Sequence, residues 1–335
     1  HIVQVLRRDP ENLQALVYGG KLKLIEKDLE GAEKIYSEIL NRKPDFASGY
    51  VSMGITLNGM GRKTEAMAAF DKALAVNPKQ MEALHHKVSL LMQMKEVGQA
   101  VAACTAHRKH FPPDDPSQAI VDLIEGRIYM SIGKMEDARQ RFEHAIDLVP
   151  TLSAPYEQLG FIHEARKEIS TAVEYYEKLI ALKPDYLPAY LYLSRISKAR
   201  GDKQKARTYL EKALAIKDDF APAANNLAFI LAETESSLYE ALRLAKIARD
   251  KDPDNPDYLD TLGWIYHLQG SNDLALPELK ESIRLNPNNA LTHYHLGWAY
   301  YDNSEYEKAR SHMRKALELN PDFEGADKAR DLLGR

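Results

Sequence analysis

Apolar residues along this chain recur three and four positions apart in short runs, each run closed by a polar turn before the next begins. Between Ala47 and Gln80, Tyr50, Met53, Gly54 and Leu57 form one stripe and Ala66, Phe70 and Ala73 form a second. That spacing puts each set on one face of a helix, so the stretch predicts two short amphipathic helices, each needing a partner for its stripe. Gly61 lies between the stripes as a helix stop, and Pro78 cannot continue the second helix. Gly54 and Ala66 are small where the two helices would cross, which lets the backbones approach.

The unit is copied along the chain, and the prolines mark the copies. Pro10, Pro44, Pro78 and Pro112 stand 34 residues apart, as do Pro150 and Pro184, and Pro253, Pro287 and Pro321. Asp218 keeps the phase without a proline, and only the intervals 112 to 150 and 218 to 253 are longer. Nine units follow: 13–46, 47–80, 81–114, 119–152, 153–186, 187–220, 221–255, 256–289 and 290–323. One such hairpin has too little interior to be stable alone and must stack on its neighbours.

An aromatic residue, then Leu-Gly and Tyr on one helix, followed by Ala-x3-Phe and a closing Pro on the next, resembles the tetratricopeptide repeat family. Residues 47–80 carry the pattern most completely, and Leu262-Gly263 with Tyr266 and Leu296-Gly297 with Tyr300 repeat its first helix. The resemblance implies an all-α, right-handed α–α superhelix of nine full repeats. A second-helix remnant of an upstream repeat is expected over 1–12, repeats one to three over 13–114, repeats four to nine over 119–323, and a capping helix over 324–335. Repeat three departs most, with Lys87 and Val88 for Leu-Gly, Cys104 for the aromatic and His107 for a small residue. Its end, HFPPDDPSQ, contains three prolines, and with the insertion at 115–118 it is expected to be a joint between two arms. Repeat seven gains one residue in ETESS, 233–237. Pro277, several residues into a second helix, predicts a late helix start or a kink.

A globular chain of 335 residues would normally divide into domains, but a stack of repeats escapes that limit because no central core has to grow. The formal charge of −4 leaves no electrostatic footprint for nucleic acid, and no apolar run is long enough to span a bilayer. With Cys104 as its single cysteine the chain forms no internal disulfide, which suits a cytoplasmic or a periplasmic protein alike. The first residue is His1, and the half repeat it opens predicts more chain upstream, with possible end-to-end self-association through 1–12. The style of the repeats looks bacterial.

No catalytic constellation, cofactor motif or metal site emerges, so the reading is non-enzymatic. Glycines recur at the repeat period and form no GxGxxG or GxxxxGK[ST] loop, and His163-Glu164 has no second histidine four residues later. Cys104, His107 and His110 drift around their predicted helix, which cannot aim all three at one ion. The basic run 195–207 is mostly a solvated turn.

In the family resembled, first helices line the concave face, and the second, fifth, ninth, twelfth and thirteenth positions touch ligand. Carried onto this chain, the ninth positions include Arg127, Arg195, Phe229, Trp264 and Trp298, the last three in consecutive repeats and so expected as an aromatic ladder. Fifth and twelfth positions add Asn225, Asp260, His267, Tyr294, Tyr301 and Lys198. Rings supply large contact area at low entropic cost, and amide and carboxylate groups can pair with peptide amides, so the expected ligand is an extended peptide or protein segment. The alternative is that these rings only pack repeat on repeat. The clamp by which some family members hold acidic chaperone tails is absent, since Asn226 is flanked by Leu191 and Arg195 in one repeat and by Asp257 and Thr261 in the other. A scaffold is therefore expected, or else the docking arm of a larger protein such as a glycosyltransferase or an envelope or exopolysaccharide-export component.

Overall fold

The computed structural model describes residues 12–234, 237–323 and 325–334. Among these residues there are nineteen helices and no strand. First and second helices alternate along the chain as the repeat spacing requires. First helices are α1 (Leu13–Ile25), α3 (Ala47–Gly59), α5 (Met81–Gln93), α7 (Ser117–Ser131), α9 (Ser153–Ala165), α11 (Leu187–Ala199), α13 (Ala221–Glu233), α15 (Pro256–Leu268) and α17 (Ala290–Asp302). Second helices are α2 (Leu29–Arg42), α4 (Lys63–Val76), α6 (Val97–Arg108), α8 (Met135–Leu148), α10 (Ile169–Leu182), α12 (Lys203–Ile216), α14 (Leu238–Lys251), α16 (Asn272–Leu285) and α18 (Tyr306–Leu319). A last helix, α19 (Ala326–Gly334), follows the ninth repeat. The remnant expected over 1–12 lies, apart from Asn12, outside the described residues, and so does part of the longer turn at 233–237.

The chain forms two compact units, 1–168 and 169–335. Within each, an alanine at the twentieth position of the repeat, or the twenty-first in the longer repeat seven, is fully buried, from Ala32 to Ala309. The fifteenth position turns the chain in the left-handed region. Gly61, Gly133, Gly201 and Gly270 hold it at φ near +75°, and Lys27, Lys95, Lys167 and Ser304 accept the same turn at φ near +60°. Helix starts are fixed by side chains that accept the first free N–H groups. Asp28 caps α2, Asp202 caps α12, and Asn255 and Asn289 each accept two backbone N–H groups at the heads of α15 and α17. Fourth-position side chains tie a repeat to the proline before it: the Tyr156 hydroxyl donates to the Pro150 carbonyl at 2.8 Å and Tyr190 to Pro184 at 2.9 Å.

One of the two alternatives expected at Pro277 is corrected. α16 starts at Asn272 and runs through Pro277, so there is no late start; the proline falls near the helix head, where it removes little of the hydrogen-bond ladder. The proline-rich stretch before α7 is not loose. Gln118, itself buried, donates through Nε2 toward the carbonyls of Arg108, Phe111 and Pro112 at 3.1–3.3 Å. Arg108, at the end of α6, reaches the buried carboxylates Asp122 at 2.9 Å and Glu125 at 2.5 Å on α7. The boundary between the compact units falls between Glu168 and Ile169.

Candidate functional site

In the second unit, α13 packs on α15 and α15 on α17, so the first helices of repeats seven to nine line one continuous face. Two adjoining cavities open on it. The first, about 770 Å³, is walled by α11, α13 and α15, with Arg195, Lys198, Asn225, Phe229, Asp257 and Asp260 on its lining. The second, about 570 Å³, is walled by α13, α15, α17 and α19, with Phe229, Trp264, Tyr294, His295 and Trp298 on its lining. Phe229 and Leu291 belong to both cavities. Each has the size of a ligand pocket, and together they make a groove with a polar half and an aromatic half.

The aromatic half is not the simple ladder expected from the ninth positions. His295 and Tyr294 are interleaved with Phe229, Trp264 and Trp298. His295 stacks on Trp264 with centroids 4.2 Å apart and leans toward Phe229 at 6.3 Å. Tyr294 stands 6.2 Å from both Trp264 and Trp298. The fifth and sixth residues of repeat nine thus stand beside the ninth of repeat eight. His295 is fixed from behind: its Nδ1 donates to Asp260 Oδ1 at 2.9 Å, and both side chains are buried.

Of the other expected contacts, His267 and Tyr301 line neither cavity. His267 stacks beneath Trp264 at 4.8 Å and is held by Asn272, and burial lowers its pKa. Tyr301 packs edge-on between Trp298 and Tyr306. Both therefore back the groove rather than face it. Arg127 belongs to the first unit, where it lines a separate cavity of about 240 Å³ with His85, Met92 and Ile124. Arg195, Lys198, Asn225, Phe229 and Asp260 share the lining of the first cavity.

Two buried polar atoms in the groove have no hydrogen-bond partner among the described residues. Asn225 Oδ1, on the first cavity, has no donor, and Trp298 Nε1, on the second, has no acceptor. Such atoms carry a desolvation cost of about 1–3 kcal/mol that a ligand group removes. Lys198 lies across the junction, its ammonium 4.1 Å above the Phe229 ring and 3.2 Å from Glu233. Lys203 joins the same carboxylate, at 3.3 Å, so part of the basic run is drawn into a charge network.

Cys104 and His107 sit in the interior of repeat three, where burial pushes the thiol up to about 12 and the imidazole down to about 4. His110 is exposed on the next turn. No group of three or more His, Cys, Asp or Glu side chains able to hold a metal ion is found among the described residues.

Paired helices repeated in register, with one face of first helices hollowed into a groove, define an α-helical repeat protein of the interaction-scaffold type. Family models of the tetratricopeptide repeat match residues 47–80, 164–229, 263–304 and 290–323. The chain is a tetratricopeptide repeat protein. Its fold is similar to a chain of the APC/C hetero-tetramer Cut9-Hcn1, at 20% identity and TM-score 0.56, over 92% of this chain and 59% of that one. It is similar also to a tetratricopeptide repeat protein of Parabacteroides merdae, at 16% identity and TM-score 0.52, over 76% of this chain and 97% of that one. In sequence it is 25% identical over 170 residues to the probable UDP-N-acetylglucosamine–peptide N-acetylglucosaminyltransferase SPINDLY of Hordeum vulgare, a match covering 49% of this chain and 18% of that protein. Among the described residues no helix is long and apolar enough to cross a membrane.

Proposed function

We propose that the chain is a non-enzymatic scaffold that holds an extended segment of another protein along the groove of its second unit. The observation that carries this reading is the pair of adjoining cavities built from first helices, one polar and one aromatic, each with a buried polar atom awaiting a partner. A peptide backbone supplies both an N–H for Asn225 Oδ1 and a C=O for Trp298 Nε1. Apolar side chains of the same peptide fill the space between Phe229, Trp264 and Trp298, whose rigid rings contribute area with little loss of freedom.

Trp264 and Trp298 are the only tryptophans, so the groove carries its own fluorescent reporter. Selection of a displayed random dodecapeptide library on the full chain is expected to enrich peptides that shift this emission on binding. The Trp264→Ala, Trp298→Ala double variant, with helicity verified by circular dichroism, is expected to bind them at least tenfold more weakly. Equal binding by the double variant would remove the groove from consideration.

The similarity to a glycosyltransferase favours a second reading, in which these repeats are the substrate-docking arm of a larger protein. The groove would then serve the same contact on behalf of a domain elsewhere, and the full-length coding sequence distinguishes the two.

A further inference from the structure

The two halves of the groove differ in chemistry, and the difference points to the kind of segment that fits. On the α13–α15 wall of the first cavity, three acceptors converge: the buried Asn225 Oδ1 with no donor, the Asp257 carboxylate, and the Asp260 carboxylate, of which Oδ1 is taken by His295. No cation is paired with Asp257 among the described residues. Its partial desolvation in the groove, and then the charge of Asp260, hold its carboxyl above the ordinary value. On the opposite wall, neither cation is free. Lys198 is committed to Glu233 and to the Phe229 ring, and Arg195 has an interaction of its own. Both cations of the cavity thus have an interaction already, while Asn225 Oδ1 and the Asp257 carboxylate keep accepting capacity. Immediately beyond Phe229 and Leu291 the lining turns to Trp264, Tyr294 and Trp298.

We infer that the groove selects a segment with a basic side chain two residues from a large apolar one. The ammonium or guanidinium enters beside Asn225, Asp257 and Asp260, and the apolar group lies among the rings of the second cavity. A basic side chain is the one peptide group that brings several donors and a positive charge together, and it satisfies the orphaned amide oxygen and the under-neutralised carboxylates at once. In an extended segment residues two apart share a face and stand about 7 Å from one another, a separation suited to two cavities that meet at a shared wall.

This inference rests on the peptide-groove reading, and one set of measurements separates the two. Peptides selected on the full chain are sequenced, and the leading one is resynthesised with its basic residue replaced by citrulline, which keeps the shape and loses the charge. The expected result is enrichment of Arg or Lys near an aromatic or long aliphatic residue. Binding of the basic peptide is expected to fall at least tenfold with Asp257→Asn, while the citrulline peptide binds wild type and variant alike. Asn225→Ala, which leaves the carboxylates in place, is expected to weaken both peptides. Enrichment of acidic residues, or tighter binding by Asp257→Asn, would overturn the basic-segment inference while leaving the groove intact. Selected peptides that bind the double tryptophan variant unchanged would overturn both.

Discussion

At the scale of single residues, the hairpins obey a steric reciprocity between the eighth and twenty-fourth positions. A Cβ built on Gly126 would lie 2.5 Å from the Phe142 ring and one on Gly20 2.7 Å from Tyr36, and Gly54 faces Phe70 in the same way. Where the eighth residue has a side chain, its partner is not aromatic: Val88 pairs with Cys104, Ser194 with Leu210, and Ala228 with Ala245, the last moved to the twenty-fifth position by the inserted residue. Repeat three is therefore not degraded. It solves the same packing with the volumes exchanged, and Val88 and Cys104 share one buried cluster. Gly54→Ala is expected to destabilise by about 1–3 kcal/mol despite the better helix propensity of alanine, because the added methyl overpacks against Phe70. In a Phe70→Leu background the same change is expected to be neutral or stabilising. Urea denaturation of the four-member cycle measures this, and additive effects would refute the coupling. These slots were legible because they recur at fixed phase. His295 was not: it occupies a sixth position, outside the family's usual contact set, and its role depends on Asp260 one repeat earlier. The signal available in the sequence was an acid and an imidazole one repeat plus one residue apart.

At the scale of helices, the junction of repeats three and four shows how the proline-rich connection became a tie. Asp122 and Glu125 are buried on one face of α7, and Arg108 from α6 meets both, with Arg141 from α8 at 3.6 and 3.4 Å. His144 Nδ1 approaches Asp122 from the same helix at 2.6 Å. The prolines and the insertion were visible in the sequence and argued for a joint. Nothing periodic announced that two carboxylates of the next helix would face inward, since an Asp and a Glu three apart ordinarily mark a solvated face. Arg108→Met is expected to cost about 3–5 kcal/mol, as removing one partner of a buried cluster leaves carboxylates facing one another without their main counter-charge. Thermal unfolding followed by helicity tests it; a loss below about 1 kcal/mol would mean that Arg141 alone neutralises the pair.

At the scale of the whole molecule, several histidines are held neutral by their surroundings, and this sets how the fold responds to acid. Burial keeps His107 at about 4, and burial with the neighbouring His293 keeps His312 at about 4. His293 and His312 meet through their Nδ1 atoms at 2.8 Å, a contact that requires one nitrogen to be unprotonated. In the unfolded chain each takes up a proton near pH 6.5. Their contribution is therefore complete above that pH and is lost as pH falls from about 6.5 to about 4, at no more than about 1.4 kcal/mol per pH unit for each histidine. The urea midpoint is expected to drop across this window, and His107→Phe to flatten part of the drop. A midpoint level from pH 7 to 5 would contradict the neutral assignment.

The end of the second unit carries a consequence for occupancy. Gly325, at φ +108°, brings its backbone against the Tyr294 ring, Phe323 packs edge-on to that ring at 5.2 Å, and Lys328 of α19 helps close the aromatic cavity. The terminal helix is thus a door panel of the chamber as well as a cover for α18. If a segment occupies the groove as proposed, its contacts with Gly325 and Lys328 hold the panel in place, and by thermodynamic linkage anything that holds the panel in place raises affinity in return. Resistance of this tail to a protease would then read out, from outside the groove, how full the groove is.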